Sequence, residues 1–246
     1  MKKFTLLLLL ATLLLFTLAA NAGDVLYFYG GDFDNNNPLA HGLANETDGT
    51  VSGSPYGAAT LQNFVVGSPI TVTGLFTNDL MDISPTTAYW EIRSGVSEGN
   101  GGTLIAFGDG ADTVTATGRS RGGRNEYTNF VGSMTGMGLN INLAPGIYWF
   151  MVVPEDPNNP TGRSFNSNSL EGLNAVGTQI SNEQFFNSAF FGANYTNANN
   201  EIADAFPTFS SGVYANANAV PEPSSLIMLG TGLVGVAGVV RRRLSR

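Results

Sequence analysis

The chain has 246 residues, room for one ordinary domain plus short targeting segments, and a formal charge of −8. Six of its eleven basic residues sit at the two ends, so the stretch between Gly23 and Ala219 holds five arginines against eighteen acidic residues, about −13. That charge argues against nucleic acid and anionic headgroups as partners, and the absence of cysteine excludes disulfides, thiolate catalysis and Cys-bound metal centres.

At the N-terminus, Met1-Lys2-Lys3 precedes an apolar run over 4–19 and then Ala20-Asn21-Ala22. A charged start, an apolar segment and an A-x-A site predict a signal peptide over 1–22, removed by signal peptidase to leave Gly23 first. The alternative is a retained membrane helix, and the small residues at the cleavage positions count against it.

A strand is predicted over 24–29. It leads into Asp32-Phe33-Asp34-Asn35-Asn36-Asn37, where Asp32, Asp34 and Asn36 place oxygen side chains at positions 1, 3 and 5, as calcium loops do. An EF-hand further requires Gly at 6 and Glu at 12, and the chain has Asn37 and Leu43 there. What is left is a looser calcium site, with Asp48 assisting, or plain Asx-turn chemistry. No other cofactor is expected. His41 is the sole histidine, which excludes any site built on two.

Further strands are predicted over 59–66, 70–76, 88–93, 103–107, 113–117, 139–143 and 147–153, bounded by turns such as Gly99-Asn100-Gly101-Gly102 and Pro145-Gly146. Their spacing of about ten residues suits an all-β ectodomain, an antiparallel β-sandwich or jelly roll over 23–214. The region after 155 is less regular, and its phenylalanines (Phe185, Phe186, Phe190, Phe191, Phe206 and Phe209) read as core from later strands. The small residues of 215–219 read as a linker.

Within these strands, Trp90, Tyr148 and Trp149 are candidates for stacking on sugar rings, or else serve core packing or strand-edge cover. Successive residues of a strand point to opposite faces, so one member of each pair, Tyr89/Trp90 and Tyr148/Trp149, is expected at least partly exposed. Arg119, Arg121 and Arg124 form the one basic cluster away from the ends, a candidate for holding an acidic polysaccharide or else a solvated turn. Asp109 and Asp112 form a second, weaker calcium candidate. Gly95-Val96-Ser97-Glu98-Gly99 spells the string of a nucleophile elbow. A helix must follow such an elbow and a His must lie downstream; Asn100-Gly101-Gly102 and His41 supply neither, so a hairpin loop is expected. Glu91, Glu98, Glu126 and Glu155 are the carboxylates from which a glycosidase pair would have to come.

The C-terminus reads Val220-Pro221-Glu222-Pro223, an apolar stretch over 224–240, then Arg241-Arg242-Arg243. The prolines hold an extended, accessible peptide. The apolar stretch is long enough for a single short transmembrane helix of about 25 Å, and the arginines fix its cytoplasmic end. The whole of 220–246 resembles the PEP-CTERM sorting tail of exported proteins of Gram-negative bacteria. That resemblance implies processing near Pro221-Glu222-Pro223 by an exosortase-type protease-transpeptidase and transient anchoring in the inner membrane. It also implies a final place at the cell surface or in a biofilm matrix with exopolysaccharide. An ordinary single-span anchor is the plain alternative. The segments around 88–95 and 143–150 are similar to β-sandwich ectodomains carried by PEP-CTERM proteins, a likeness that implies no activity.

The expectation is thus a non-enzymatic envelope protein that binds or organises surface polysaccharide. The alternatives are a carbohydrate-active hydrolase with a carboxylate pair, or a structural surface protein without a ligand.

Overall fold

Short β-branched and aromatic runs between Gly, Asn and Ser turns leave the chain little choice but sheet. The computed structural model describes residues 24–34, 36, 41–47, 56–132, 138–159, 161–169, 172–201 and 208–217. The signal segment with its cleavage point, Asp48, Phe206 and the tail with its predicted span lie outside these residues. Among the described residues no helix is long and apolar enough to cross a membrane.

The strands are β1 (Val25–Tyr29), β2 (Gly42–Ala44), β3 (Ala58–Val66), β4 (Ile70–Met81), β5 (Thr87–Ser94), β6 (Thr103–Ala111) and β7 (Thr113–Arg121). They continue with β8 (Arg124–Gly132), β9 (Ile141–Leu143), β10 (Gly146–Glu155), β11 (Ser164–Ser167), β12 (Phe185–Ser188), β13 (Ala193–Asn197) and β14 (Ser211–Ala217). All pairings are antiparallel. In the first sheet β4 is central: β8 and β9 pair along one edge with β7 beyond, while β14 and β11 pair along the other with β1 and β2 beyond. The second sheet runs β13-β12-β3-β10-β5-β6. One residue, Asp112, carries the chain from β6 at the edge of the second sheet to β7 at the edge of the first.

The sheets pack face to face over Phe28, Val72, Leu75, Val131 and Val213 from the first and Phe64, Trp90, Ile92, Phe150 and Val152 from the second. Phe28, Phe64 and Phe150 form a ring cluster with centroids 5.7–6.3 Å apart. Gly108 of β6 leaves the space that the Trp90 indole fills, since a Cβ there would lie 3.1 Å from the ring.

β4 changes face partway along. A register shift opposite Tyr214/Ala215 moves the inward set from Ile70 and Val72 to Leu75, Thr77 and Asp79. Beyond it the interior turns polar. Asp79 is fully buried and accepts hydrogen bonds from Asn45 Nδ2 at 2.9 Å, Thr77 Oγ1 at 2.6 Å and Asn129 Nδ2 at 2.7 Å. Burial still pushes its carboxyl up to about 7 against those three bonds, with the charge of Glu126 adding to the rise. Asp112 is raised to about 8, by burial first and the charge of Asp79 second, although the Phe130 N–H bonded to its carboxylate works the other way.

Three expectations need correction. Residues 215–217 are not linker: they lie in β14 between β1 and β4, and they are small because Ala215 packs in the filled core. β8 was not expected. Its inward Asn129 breaks the apolar alternation because it serves Asp79 rather than the core. Tyr89 and Trp90 are both buried, at 7% and 8% exposure, because the second sheet is covered on both faces. On its outer face Tyr89, Trp149, Met151, Val153 and Phe185 form a second apolar cluster under Tyr56 and Tyr195.

Candidate functional site

The two tryptophans singled out in the sequence present no ring to solvent. Trp90 lies between the sheets, and Trp149, 4% exposed, donates its indole N–H to the Glu183 carbonyl at 2.7 Å. The stretch 178–184 is fastened there by Asn63, which bonds the carbonyls of Ile180 and Glu183 and the Ile180 N–H.

The outer face of the first sheet is built differently. Strand register sets one row across five strands, Thr113–Phe130–Phe76–Gly212–Tyr29 on β7, β8, β4, β14 and β1. A neighbouring row places Thr115, Thr128 and Asn78 side by side. Two glycines let the rings lie against the sheet: a Cβ on Gly212 would fall 2.3 Å from the Phe76 ring, and one on Gly74 2.6 Å from Phe130. Tyr214 closes the set, with ring centroids 5.8 Å from Phe76 and 5.7 Å from Phe130, while Tyr29 sits 5.6 Å from Phe76. Above this aromatic floor is an open groove of about 420 Å³, walled on one side by the threonines of β7. That volume falls in the roughly 300–1,000 Å³ range of small-molecule sites, and an apolar floor with a few fixed polar groups is their usual make-up.

The polar end of the groove is tied together. Tyr29 Oη donates to Asp32 Oδ1 at 2.6 Å and accepts from Asn78 Nδ2 at 3.1 Å. Thr128 Oγ1 donates to Asn78 Oδ1 at 2.6 Å. Arg119 Nη1 reaches Asp32 at 2.8 Å, and its Nε pairs with the fully buried Glu126, which also accepts from Thr117 Oγ1. Burial alone would raise Asp32, yet the bonds from Tyr29 and Asn174 and the charge and bond of Arg119 outweigh it and hold the carboxyl below its usual range. Burial likewise lowers Arg119, but the Glu126 charge and hydrogen bond more than reverse it. Tyr29 is pushed well above an ordinary phenol, by burial first and its bond to Asp32 second. Each of these groups is held by another, which makes the wall rigid.

Of the three clustered arginines, Arg119 reaches the groove. Arg124 pairs with Asp82 at 2.8 Å and stacks on Phe165, and Arg121 ends β7 at the hairpin formed by Gly122 and Gly123, both with positive φ. The calcium candidates divide as well. Asp32 takes part in the network just described, while Asp34 accepts the Asn36 N–H at 2.8 Å, the local Asx geometry. Among the described residues no three His, Asp or Glu side chains converge on a common point. Asp109 is exposed on β6, opposite Tyr89 in register, and Asp112 is the half-buried crossing residue. His41 pairs through its backbone with Asn168. Ser97 lies in the β5–β6 hairpin loop between the positive-φ Gly95 and Gly99, bridged to Asn100. Glu91 is bonded by Tyr89 and Arg93, Glu98 by the Asn197 N–H and Glu155 by Thr87. The carboxylates considered for hydrolysis are therefore dispersed, and none of Glu91, Glu98 or Glu155 lines the groove.

Sequence reasoning did not find Phe76, Phe130, Tyr214 or Asn78 as a group. Each sits in or beside an ordinary-looking strand, and only the pairing across five strands assembles them.

By fold, the described region is an antiparallel two-sheet sandwich, with Gly23–Ala217 forming a compact unit by itself. By its tail, the chain is assigned more narrowly: residues 219–243 match the PEP-CTERM protein-sorting motif. No curated protein matches the chain. The tail makes this an exported, transiently membrane-anchored protein processed by an exosortase-type enzyme, and the strand-rich fold fits such a substrate with a β ectodomain.

Proposed function

We propose that the ectodomain is a non-enzymatic glycan-binding module, delivered by its sorting tail to the cell surface or extracellular matrix of a Gram-negative bacterium. There it binds or organises surface polysaccharide. On this reading signal peptidase removes 1–22 before the exosortase-type enzyme acts.

One observation carries the proposal: the aromatic-floored, threonine-rimmed groove on an exported chain. A pyranose has an apolar C–H face and a rim of hydroxyls that both donate and accept. The groove offers the half-buried Tyr214 ring, with Phe76 and Phe130 packed beneath it, for the first, and Thr113, Thr115 and Thr128 as donors and acceptors for the second. Glycoside hydrolysis needs two carboxyl groups roughly 5–9.5 Å apart across the scissile bond. Among the described residues Asp32 is the one carboxylate lining the groove, and its oxygens are occupied by Tyr29, Arg119 and Asn174, which favours binding over hydrolysis.

A glycan array probed with the 23–219 ectodomain and its Tyr214→Ala variant tests the module. Binding that weakens in the variant is expected, and an array blank for the parent would remove the proposal. Delivery has its own test, replacing Pro221-Glu222-Pro223 with alanines in a host that has an exosortase. The variant should stay uncleaved in the membrane; release as efficient as the parent's would make the tail a plain anchor.

A further inference from the structure

The charges around the groove go further than its shape. Arg119 is its one cation among the described residues, and it stands between two anions. Its Nη1 is on Asp32 and its Nε on Glu126, whose side chain is fully buried. Asp32 is held below the usual carboxylate range and Arg119 above the usual guanidinium range, so this pair is charged at neutral pH. By formal charge, two carboxylates on one guanidinium sum to one net negative charge. The rest of the rim, Thr113, Thr115, Thr128, Asn78 and Tyr214, carries none. This wall belongs to an ectodomain that is itself about −13.

Resting on the reading of the groove as a glycan site, we infer that it takes an uncharged hexose chain and discriminates against the same chain carrying carboxylates. A uronate brought to the rim meets an arginine already neutralised twice over, so it gains no bidentate partner and loses hydration. It also approaches a net negative wall inside a net negative domain, a repulsion that salt screens beyond about 10 Å at 0.1 M. A neutral pyranose meets neither cost. Arg119 is thus a positioning residue: it holds Asp32 and Glu126 in place and is not the ligand's own counter-ion. Of the two sequence readings of the basic cluster, a holder of acidic polysaccharide or a solvated turn, the first is reversed for Arg119 once it is seen in its pairs.

The test uses the full-length chain in mild detergent and two probes of one backbone, a soluble neutral glucan and that glucan oxidised at C6 to the uronate. Titration calorimetry is run at low and at physiological salt. The neutral chain is expected to bind about tenfold more tightly at low salt, with the gap narrowing as salt rises. Equal or tighter binding of the uronate chain overturns the inference and leaves the groove a glycan site. Binding of neither chain overturns the glycan reading itself, and the selectivity with it. Thr115→Lys, at an exposed position on the β7 rim, should narrow the ratio between the two chains. A ratio that Thr115→Lys leaves unmoved places recognition elsewhere and overturns the assignment to this groove.

Discussion

The two outer faces of the sandwich are made of the same material and are closed in different ways. The second sheet shows Tyr89, Trp149, Met151 and Phe185 to its outside, and the first shows Tyr29, Phe76, Phe130 and Tyr214. Over the former lie Tyr56, Tyr195 and the stretch 178–184, fastened by Asn63 and by the Trp149 indole. Over the latter lies a groove. An aromatic residue in a strand is therefore no guide to exposure by itself. On one face a later part of the chain is tied down across the rings, and on the other the rings lie against glycines and pack on one another, leaving Tyr214 half-buried.

The largest separation between the faces should come from truncating one aromatic on each. Trp149→Ala removes a buried ring and leaves the Glu183 carbonyl without its donor, and should cost about 3–5 kcal/mol in urea unfolding. Its effect on glycan affinity in the surviving folded fraction should be small. A loss under about 1 kcal/mol would mean that the 178–184 cover contributes little.

Next in size is a dependence on pH that arises between the faces. Asp79 and Asp112 are raised to about 7 and about 8, against roughly 4 for an unfolded aspartate. The folded protein then holds these protons more tightly than the unfolded chain does. Stability should be greatest near pH 4–5, fall as pH rises toward 8 and level off above that, by on the order of a few kcal/mol. Asp32, held low by its partners, works in the other sense and its contribution disappears as pH drops below about 4. Melting curves at pH 5 and pH 9 check the sign. Asp112→Asn keeps an oxygen for the Phe130 N–H and should flatten the slope. A melting temperature that climbs from pH 5 to pH 9 would show both carboxyls to be stably ionised.

Gly212→Ala is a smaller perturbation, aimed at the floor of the open face. Its Cβ would meet the Phe76 ring at 2.3 Å and the Phe28 carbonyl oxygen at 2.8 Å, so the ring must tilt out of the floor. A loss of about 1–3 kcal/mol is expected, with weakened glycan binding, and unchanged stability would mean the ring has room to move aside.

Much of the sandwich could be read from alternation and turns, because β1, β3, β5, β6, β7 and β10 are apolar or β-branched in the ordinary way. What could not be read follows one pattern. β8 and β14 look polar or small in isolation because their residues answer to distant partners, Asn129 to Asp79 and Gly212 to the Phe76 ring. The sequence leaves Trp90 and Trp149 open between core packing and sugar stacking, because alternation tells which residues share a face and says nothing about what later covers it. The groove was the least legible part. Arg119 was noticed for its charge, but its role depends on Asp32, 87 residues away, and on the burial of Glu126.

Tyr214→Ala should have the smallest effect on stability, about 1 kcal/mol, since the ring is only partly buried. Its effect should fall on binding, the reverse of Trp149→Ala, and equal effects of the two variants on affinity would erase the distinction between the faces.

The most direct measurement is an amide NMR titration of the ectodomain with a neutral glucan. Shifts confined to β7, β8, β4 and β14 around Thr115, Thr128, Asn78 and Tyr214 are expected. Shifts centred instead on β5 and β6 of the other sheet, where Phe107 stands 62% exposed, would contradict the assignment of the open face as the binding face.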